Sequence, residues 1–451
     1  MTIAIEIGDS GLRVRGAEGV LLDSPGYALV DGDVSVGAAA LAQARLHPGR
    51  VFDDFWGQLS LDSLPGSVRG AATYADLAYH HLRQVWSETG REEPVILVVP
   101  GSFGREQLSL LLGIARECAV PVSAMVDQAV VAAEQPVPGR QLFHLELLAR
   151  RVVLTELNQG RQLSRGQVSE QEGCGLADFY AAWANAVGDT FVRNTRYDPM
   201  HSAESEQRLY DQLPGWLAAV SRAGQAELSL PSGGRDHTVT VSAQSLAAAA
   251  QEQFSRLSRH IAATGRPGEP LTLLLSDRIQ FFPGLVAALG DNLSGCDVVE
   301  QATAQAAAGA LRRADEICGS GESVAFVTSV SWHRDAVSLP LPQEERPAEV
   351  LPTHVLYRGR GIPIGSDTLT LGSQPTDSGR NVVLTGDLAG VSREHCRITR
   401  NDGVVVVEDC SEHGTFVNDR RIDGSVSVNY GDVLRLGGTE QLLQLITVDG
   451  A

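Results

Sequence analysis

Residues 391–418 read VSREHCRITRNDGVVVVEDCSEHGTFVN. Ser392 and His395 stand three residues apart, and a second turn, His413-Gly414-Thr415, follows the run VVVVED. That run is apolar, β-branched and bounded by Gly, Asn and Asp, which predicts a short buried strand. Asn401-Asp402-Gly403 predicts a hairpin turn, since Asp-Gly tolerates the positive φ of a tight connection. Working outward, LTLGS (369–373) comes before and YGDVLRLG (430–437) after, the latter a further short strand entered through Gly431-Asp432. Short strands with turn signals at this spacing predict a β-sandwich whose loops gather at one end and bind.

In that order the four pieces resemble a forkhead-associated (FHA) domain, here over residues 353–449. The resemblance implies an all-β sandwich that reads phosphothreonine on partner proteins. Its peptide-binding positions fall on Ser373, Ser392, Arg393, His413, Gly414 and Thr415, with His395 a core residue that pins the loop by hydrogen bonds. Two positions depart from the family's pattern. Ser373 stands where the family has a phosphate-gripping arginine, and His413 where it has an asparagine that holds the peptide backbone. A phosphate dianion is best met by an arginine fork, so Ser392 and Arg393 make a weaker cradle. Arg393 has two readings, solvated surface charge or phosphate contact, and Arg380 is a further guanidinium within reach of the loop. The expectation is a protein-docking surface that works without phosphate; the alternative is one that reads phosphothreonine.

A chain of 451 residues is too long for one core. The net charge of −19 argues against nucleic acid or an anionic membrane surface as partner. No apolar run is long enough for membrane insertion and no signal peptide is expected, because the chain opens as a strand and turn. The six cysteines lack metal-ligand spacing and read as reduced thiols of a cytosolic protein. All 36 basic residues are arginine. No lysine is therefore available as catalytic base, Schiff base or phosphate clamp.

The chain opens with IAIEIGDSGLRVRG, an alternating pattern around Gly8-Asp9-Ser10-Gly11 that predicts a hairpin. Helical stretches at 73–89 and 105–120 flank the strand VILVVP (95–100). A strand and an Ala-rich helix start follow at 121–133. A strand-turn-strand at 141–157, helices over much of 176–265, the strand LTLLL (271–275) and a last helical stretch near 301–317 complete the region. Strands alternating with helices predict α/β layers. No internal repeat is visible.

VVPGSFGREQLSLLLGIARECAVPVSAMVDQAVVAA (98–133), Gly173 to Phe179 and QAAAGA (305–310) resemble the actin and heat-shock-chaperone ATPase superfamily, most closely its DnaK-type domain. The resemblance implies an actin-like (ribonuclease H-like) ATPase fold over residues 1–318. In that family two glycine-rich hairpin turns hold phosphates and magnesium, because backbone must approach phosphate closely.

Here the first turn keeps Gly8 and Ser10, but Glu6 replaces an Asp and Asp9 stands where a hydroxyl belongs. The second falls on Glu146-Leu147-Leu148-Ala149-Arg150-Arg151, without a glycine. The family's catalytic Glu becomes Gln128. Its adenosine-binding Gly-Gly becomes Asp277-Arg278, read as an ion pair standing in the purine's place. Phosphoanhydride chemistry depends on positioned magnesium and backbone donors. The expectation is a pseudo-ATPase with no catalytic residue, no metal and no cofactor. The alternative is a divergent ATPase that binds ATP and Mg. Arg150 and Arg151 read as strand-edge charges, or else as a site for another anion.

SVAFVTSVSW (323–332) is expected to add a strand or pack beside the first domain. The Pro- and Glu-rich stretch at 338–352 completes a connector placed at 319–352. His47, His80 and His81 lack metal-ligand spacing, and no Walker loop, Gly-x-Ser-x-Gly elbow or His-Glu-x-x-His is present. The sequence thus predicts a multidomain cytosolic scaffold with protein partners. In the alternative reading, a nucleotide state gates what the docking module presents.

Overall fold

In the computed structural model, the described residues are 2–65, 70–318 and 324–332, and then 351–357, 360–375, 379–385, 388, 390–401, 404–418, 420–422, 424–429, 431–437 and 442–447. Asp402-Gly403 of the expected hairpin turn and most of the Pro- and Glu-rich connector lie outside them. The chain divides into two compact units, Met1–Leu341 and Pro342–Ala451.

The N-terminal unit is built on two six-stranded sheets. In the first, Ile3–Gly8, Gly11–Gly16 and Gly19–Pro25 form an antiparallel meander, and the opening hairpin pairs as far as Gly8 opposite Gly11. Val95–Val99 and then Val122–Asp127 join alongside Ile3–Gly8 in parallel. In the second, Gln141–Leu147, Arg151–Gln159 and Gln162–Glu172 form the meander, and Leu271–Leu275 and Cys296–Glu300 join in parallel. Parallel neighbours need crossover connections. In the first half these contain the helices Tyr74–Thr89 and Arg105–Glu117.

The two halves therefore repeat one topology, although no sequence repeat is visible. Each ends in a short helix, Gln128–Ala132 and Gln305–Arg312. These two pack closely because Gly309 has no side chain: a Cβ there would stand 1.8 Å from the Val131 carbonyl oxygen. The central strand Ile3–Gly8 is buried on both faces. Ile3, Ile5 and Ile7 enter one core and Ala4 another.

Residues 324–332, expected to open the connector, place one strand on each sheet. Phe326–Val327 pairs with Val122–Asp127, and Ser329–Ser331 with Gln162–Glu172. His81 lies in the core under Tyr74–Thr89, where Trp56 Nε1 donates to its Nδ1 at 3.1 Å, and burial pushes its pKa down to about 3.

In the C-terminal unit, Leu369–Gly372, Cys396–Asn401, Val404–Asp409 and Ser425–Val428 make one antiparallel run, with Arg380–Val383 parallel at its edge. The other sheet orders Arg360–Pro363, His354–Tyr357, Leu442–Ile446, Val433–Leu436, Thr415–Val417 and Arg420–Arg421. Val355, Leu371, Ile398, Val407, Leu434 and Leu445 from both sheets share one core, as in a sandwich. Among the described residues no helix is long and apolar enough to cross a membrane.

Candidate functional site

The two halves of the N-terminal unit meet at their first hairpin turns. Gly8 faces the turn that joins Gln141–Leu147 to Arg151–Gln159, which closes with Leu148 N donating to Arg151 O at 2.9 Å. A Cβ on Gly8 would lie 3.5 Å from Leu148 Cδ2 and 3.6 Å from Glu146 Oε1. Between the turns, walled by Glu6, Gly8, Ser10, Gln128 and Glu146, a void of about 10 Å³ remains. That is room for one water. Phosphate with magnesium does not fit it.

The groups around this void neutralise one another. Glu6 accepts from Ala307 N (2.8 Å) in the first turn of Gln305–Arg312, where a carboxylate is favoured by the helix dipole. Burial raises the Glu6 carboxyl, and Arg13 opposes that. Arg13, directly across the hairpin from Glu6, holds four contacts. It reaches Asp23 through Nε and Nη2 (3.0 and 2.9 Å), Asp277 through Nη1 (2.7 Å), and stands 3.5 Å from Glu6. Burial alone would lower the Arg13 pKa, but Asp277, Asp23 and Glu6 outweigh it and raise it. Gln128 hydrogen-bonds to Glu146, whose carboxyl burial pushes up to about 8, with Glu6 adding to the rise.

Two expectations are corrected here, on Asp277-Arg278 and on Asp9. Asp277 and Arg278 do not pair with each other: Asp277 binds Arg13, and Arg278 reaches Asp23 at 3.3 Å, so both tie the second half to the first antiparallel meander. Asp9 does not wall the void. Its carboxyl accepts from Gly57 N, and burial drives its pKa up to about 7. The charges of Arg150 and Arg151 are engaged: Arg150 forks onto Asp53 (2.7 and 2.9 Å) and Arg151 pairs with Glu170 (2.9 Å). Among the described residues no three His, Cys, Asp or Glu side chains gather as a metal site.

Sequence reasoning missed Arg13. The available signal was an acid and a base placed opposite each other in a predicted hairpin, Glu6 and Arg13. It also missed the cleft beside the void, about 440 Å³, whose walls include Tyr27, Arg45, Leu176, Tyr180 and Tyr210. Those residues come from four separate segments, and no spacing links them.

In the C-terminal unit the loops carrying the expected peptide-binding residues converge. Ser373 N donates to Ser392 O (3.0 Å) and Gln374 N to Arg393 O (3.3 Å). Gly372 is required for this: a Cβ there would stand 1.9 Å from the Arg393 carbonyl oxygen. His395 is fully buried. Its Nδ1 accepts from Ser392 N (3.1 Å), so its Nε2 carries the proton and donates to Gly414 O (3.2 Å). Burial lowers its pKa, which favours that neutral form. Glu412 N donates to Ser392 Oγ at 3.4 Å, bringing His413 beside Ser392. Gly414 adopts φ 87°, and its carbonyl also accepts from Gly437 N.

Thr415 is a correction: expected to touch the peptide, it is fully buried and its hydroxyl donates to Asp409 at 2.8 Å. Burial would raise the Asp409 carboxyl, but hydrogen bonds from Ser411 and Thr415 hold it below its ordinary value. Arg380 is a second correction. It pairs with Leu369, at the end of that strand away from Gly372-Ser373, and donates to Pro363 O at 2.9 Å. Among the described residues of these loops Gln374, Pro375, Arg393, Glu412 and His413 are exposed, with Ser373 and Ser392 half-buried.

A search of curated proteins returns no match to the chain. Residues 364–437 match the family model described as FHA domain, so the C-terminal unit carries a module of the kind that docks protein partners.

Proposed function

We propose that the chain is a cytosolic adaptor in which an actin-like body of the DnaK type, holding no nucleotide, is joined to the FHA domain. Two features support the actin-like reading: the repeated topology of the two halves, and the meeting of their first hairpin turns at the base of a cleft. The observation that carries the nucleotide-free reading is the void between those turns. Leu148 and Glu146 stand at ordinary contact distance from where a Cβ on Gly8 would be, and about 10 Å³ is left. A ligand that bound the folded chain at one hundred times its Kd would stabilise it by about 2.7 kcal/mol. Thermal melting with and without ATP and magnesium should therefore coincide, and a shift of that size would favour the divergent ATPase.

The docking surface works without phosphate. Ser373 supplies no guanidinium, Arg380 is held at the other end of its strand, and Arg393 is the one guanidinium among the expected peptide-binding residues. A pull-down with the full chain before and after phosphatase treatment of the partners tests this. Equal capture is expected. Capture lost after phosphatase, and lost also on Arg393→Ala, would instead mean that phosphothreonine is read.

A further inference from the structure

We infer that the 440 Å³ cleft between the halves of the N-terminal unit binds a small organic anion, one acidic group on an apolar or aromatic body. The inference needs only the cleft and its lining, and stands whether or not the adaptor reading holds. The volume lies within the range of small-molecule pockets, about 300–1,000 Å³. One wall is Tyr27 with residues 38–45; the other comes from the helices Leu176–Thr195 and Ala203–Ala223. The walls are held at a fixed spacing. Arg45 N donates to Gln207 Oε1 (2.7 Å), and Gln207 Nε2 donates back to Leu41 O (3.0 Å). A cavity fixed in this way loses little on ordering when it binds.

The sign of the ligand follows from which polar groups are spent. Each lining carboxylate has a partner. Asp53 is held by the Arg150 fork, Asp211 accepts from Gln207 Nε2 at 2.8 Å, and Asp9 accepts from Gly57 N. Arg13 and Arg278 are likewise engaged with Asp23 and Asp277. The donors are different. Among the described residues the hydroxyls of Tyr27, Tyr180 and Tyr210 make no hydrogen bond. Burial raises the pKa of all three phenols, so they remain protonated donors. The Arg45 guanidinium lies 3.7 Å over the Tyr210 ring, and its nearest carboxylate, Glu206, is 3.9 Å away. An amine entering here would find Asp53 neutralised by Arg150, Asp211 at an exposed, solvated position and Arg45 repelling it. An acid would meet three free hydroxyls and one weakly paired guanidinium, with Leu41 and Leu176 against its body.

The test is calorimetry on the full chain at neutral pH with naphthoate and indole acetate, each set against its own amide. A charge-assisted hydrogen bond distinguishes acid from amide, so each acid should bind about tenfold or more tightly than its amide. Arg45→Gln should remove that difference. Tyr27→Phe and Tyr180→Phe, which take away only a hydroxyl, should each weaken the acids severalfold without changing the melting curve of the free protein. Acids and amides of equal affinity, or no binding of either acid at millimolar concentration, would overturn the inference.

Discussion

Leu148 Cδ2 stands 3.5 Å from where a Cβ on Gly8 would be, so the two hairpin turns at the base of the cleft face each other across the width of about one methyl group. Four features share this neighbourhood: the Leu148 side chain, the Glu146 carboxyl, the Gln128 amide and the Arg13 cluster. Together they make an interior whose polar groups satisfy one another.

Arg13 is the residue on which that interior depends. Arg13→Ala leaves Glu6 and Asp277 buried without their cation. Breaking a buried ion pair by removing one partner costs about 3–5 kcal/mol. Denaturant unfolding of the variant should show a loss of that size, whereas Arg50→Ala, which breaks only the exposed pair with Asp31, should lose less than about 1 kcal/mol.

The carboxyls at the turns predict an unusual pH response. Glu146 is raised from an ordinary 4.5 to about 8, and Asp9 from 3.8 to about 7, both by burial. The folded state therefore binds more protons than the unfolded state between those values. Stability from these two groups is fully present below about pH 4, declines as pH rises above the unfolded values and is lost once pH has passed 7 and 8. Melting temperature should fall across that window. Glu146→Gln, which keeps the shape and carries no charge, should flatten the fall. An unchanged pH profile in that variant would contradict the assignment.

Two residues set the FHA loop end. His395→Ala would leave Ser392 N without its buried partner, at about 1–3 kcal/mol for the unsatisfied group, while Gly414 O would keep only its bond from Gly437 N. Gly372→Ala would drive a methyl into the Arg393 carbonyl. Both should lower the melting of the C-terminal unit and weaken partner capture. Glu412→Ala, at an exposed position, should leave melting unchanged.

The C-terminal unit was more legible in the sequence than the N-terminal one, for a physical reason. In residues 391–418 the loop is organised by groups close in sequence: Ser392 and His395 are three residues apart, and Gly414 supplies the positive φ of its own turn. Local spacing records such contacts directly. In the N-terminal unit the decisive contacts are distant, Arg13 with Asp277 above all, and only the hairpin partner Glu6 was within reach of local reasoning. The topological repeat was hidden because the halves share strand order and not residues: Gly8-Asp9-Ser10-Gly11 in one turn corresponds to Leu148-Ala149-Arg150-Arg151 in the other. Thr415 was misread because a turn motif shows which residues lie in the turn and not which of their side chains point into the core.

The most direct test of the central claim is calorimetric titration of the full chain with ATP and magnesium. No heat of binding up to millimolar nucleotide is the predicted result. Saturable binding with a micromolar Kd, lost on Gly8→Val, would contradict it and place a nucleotide where Leu148 and Glu146 now stand against Gly8.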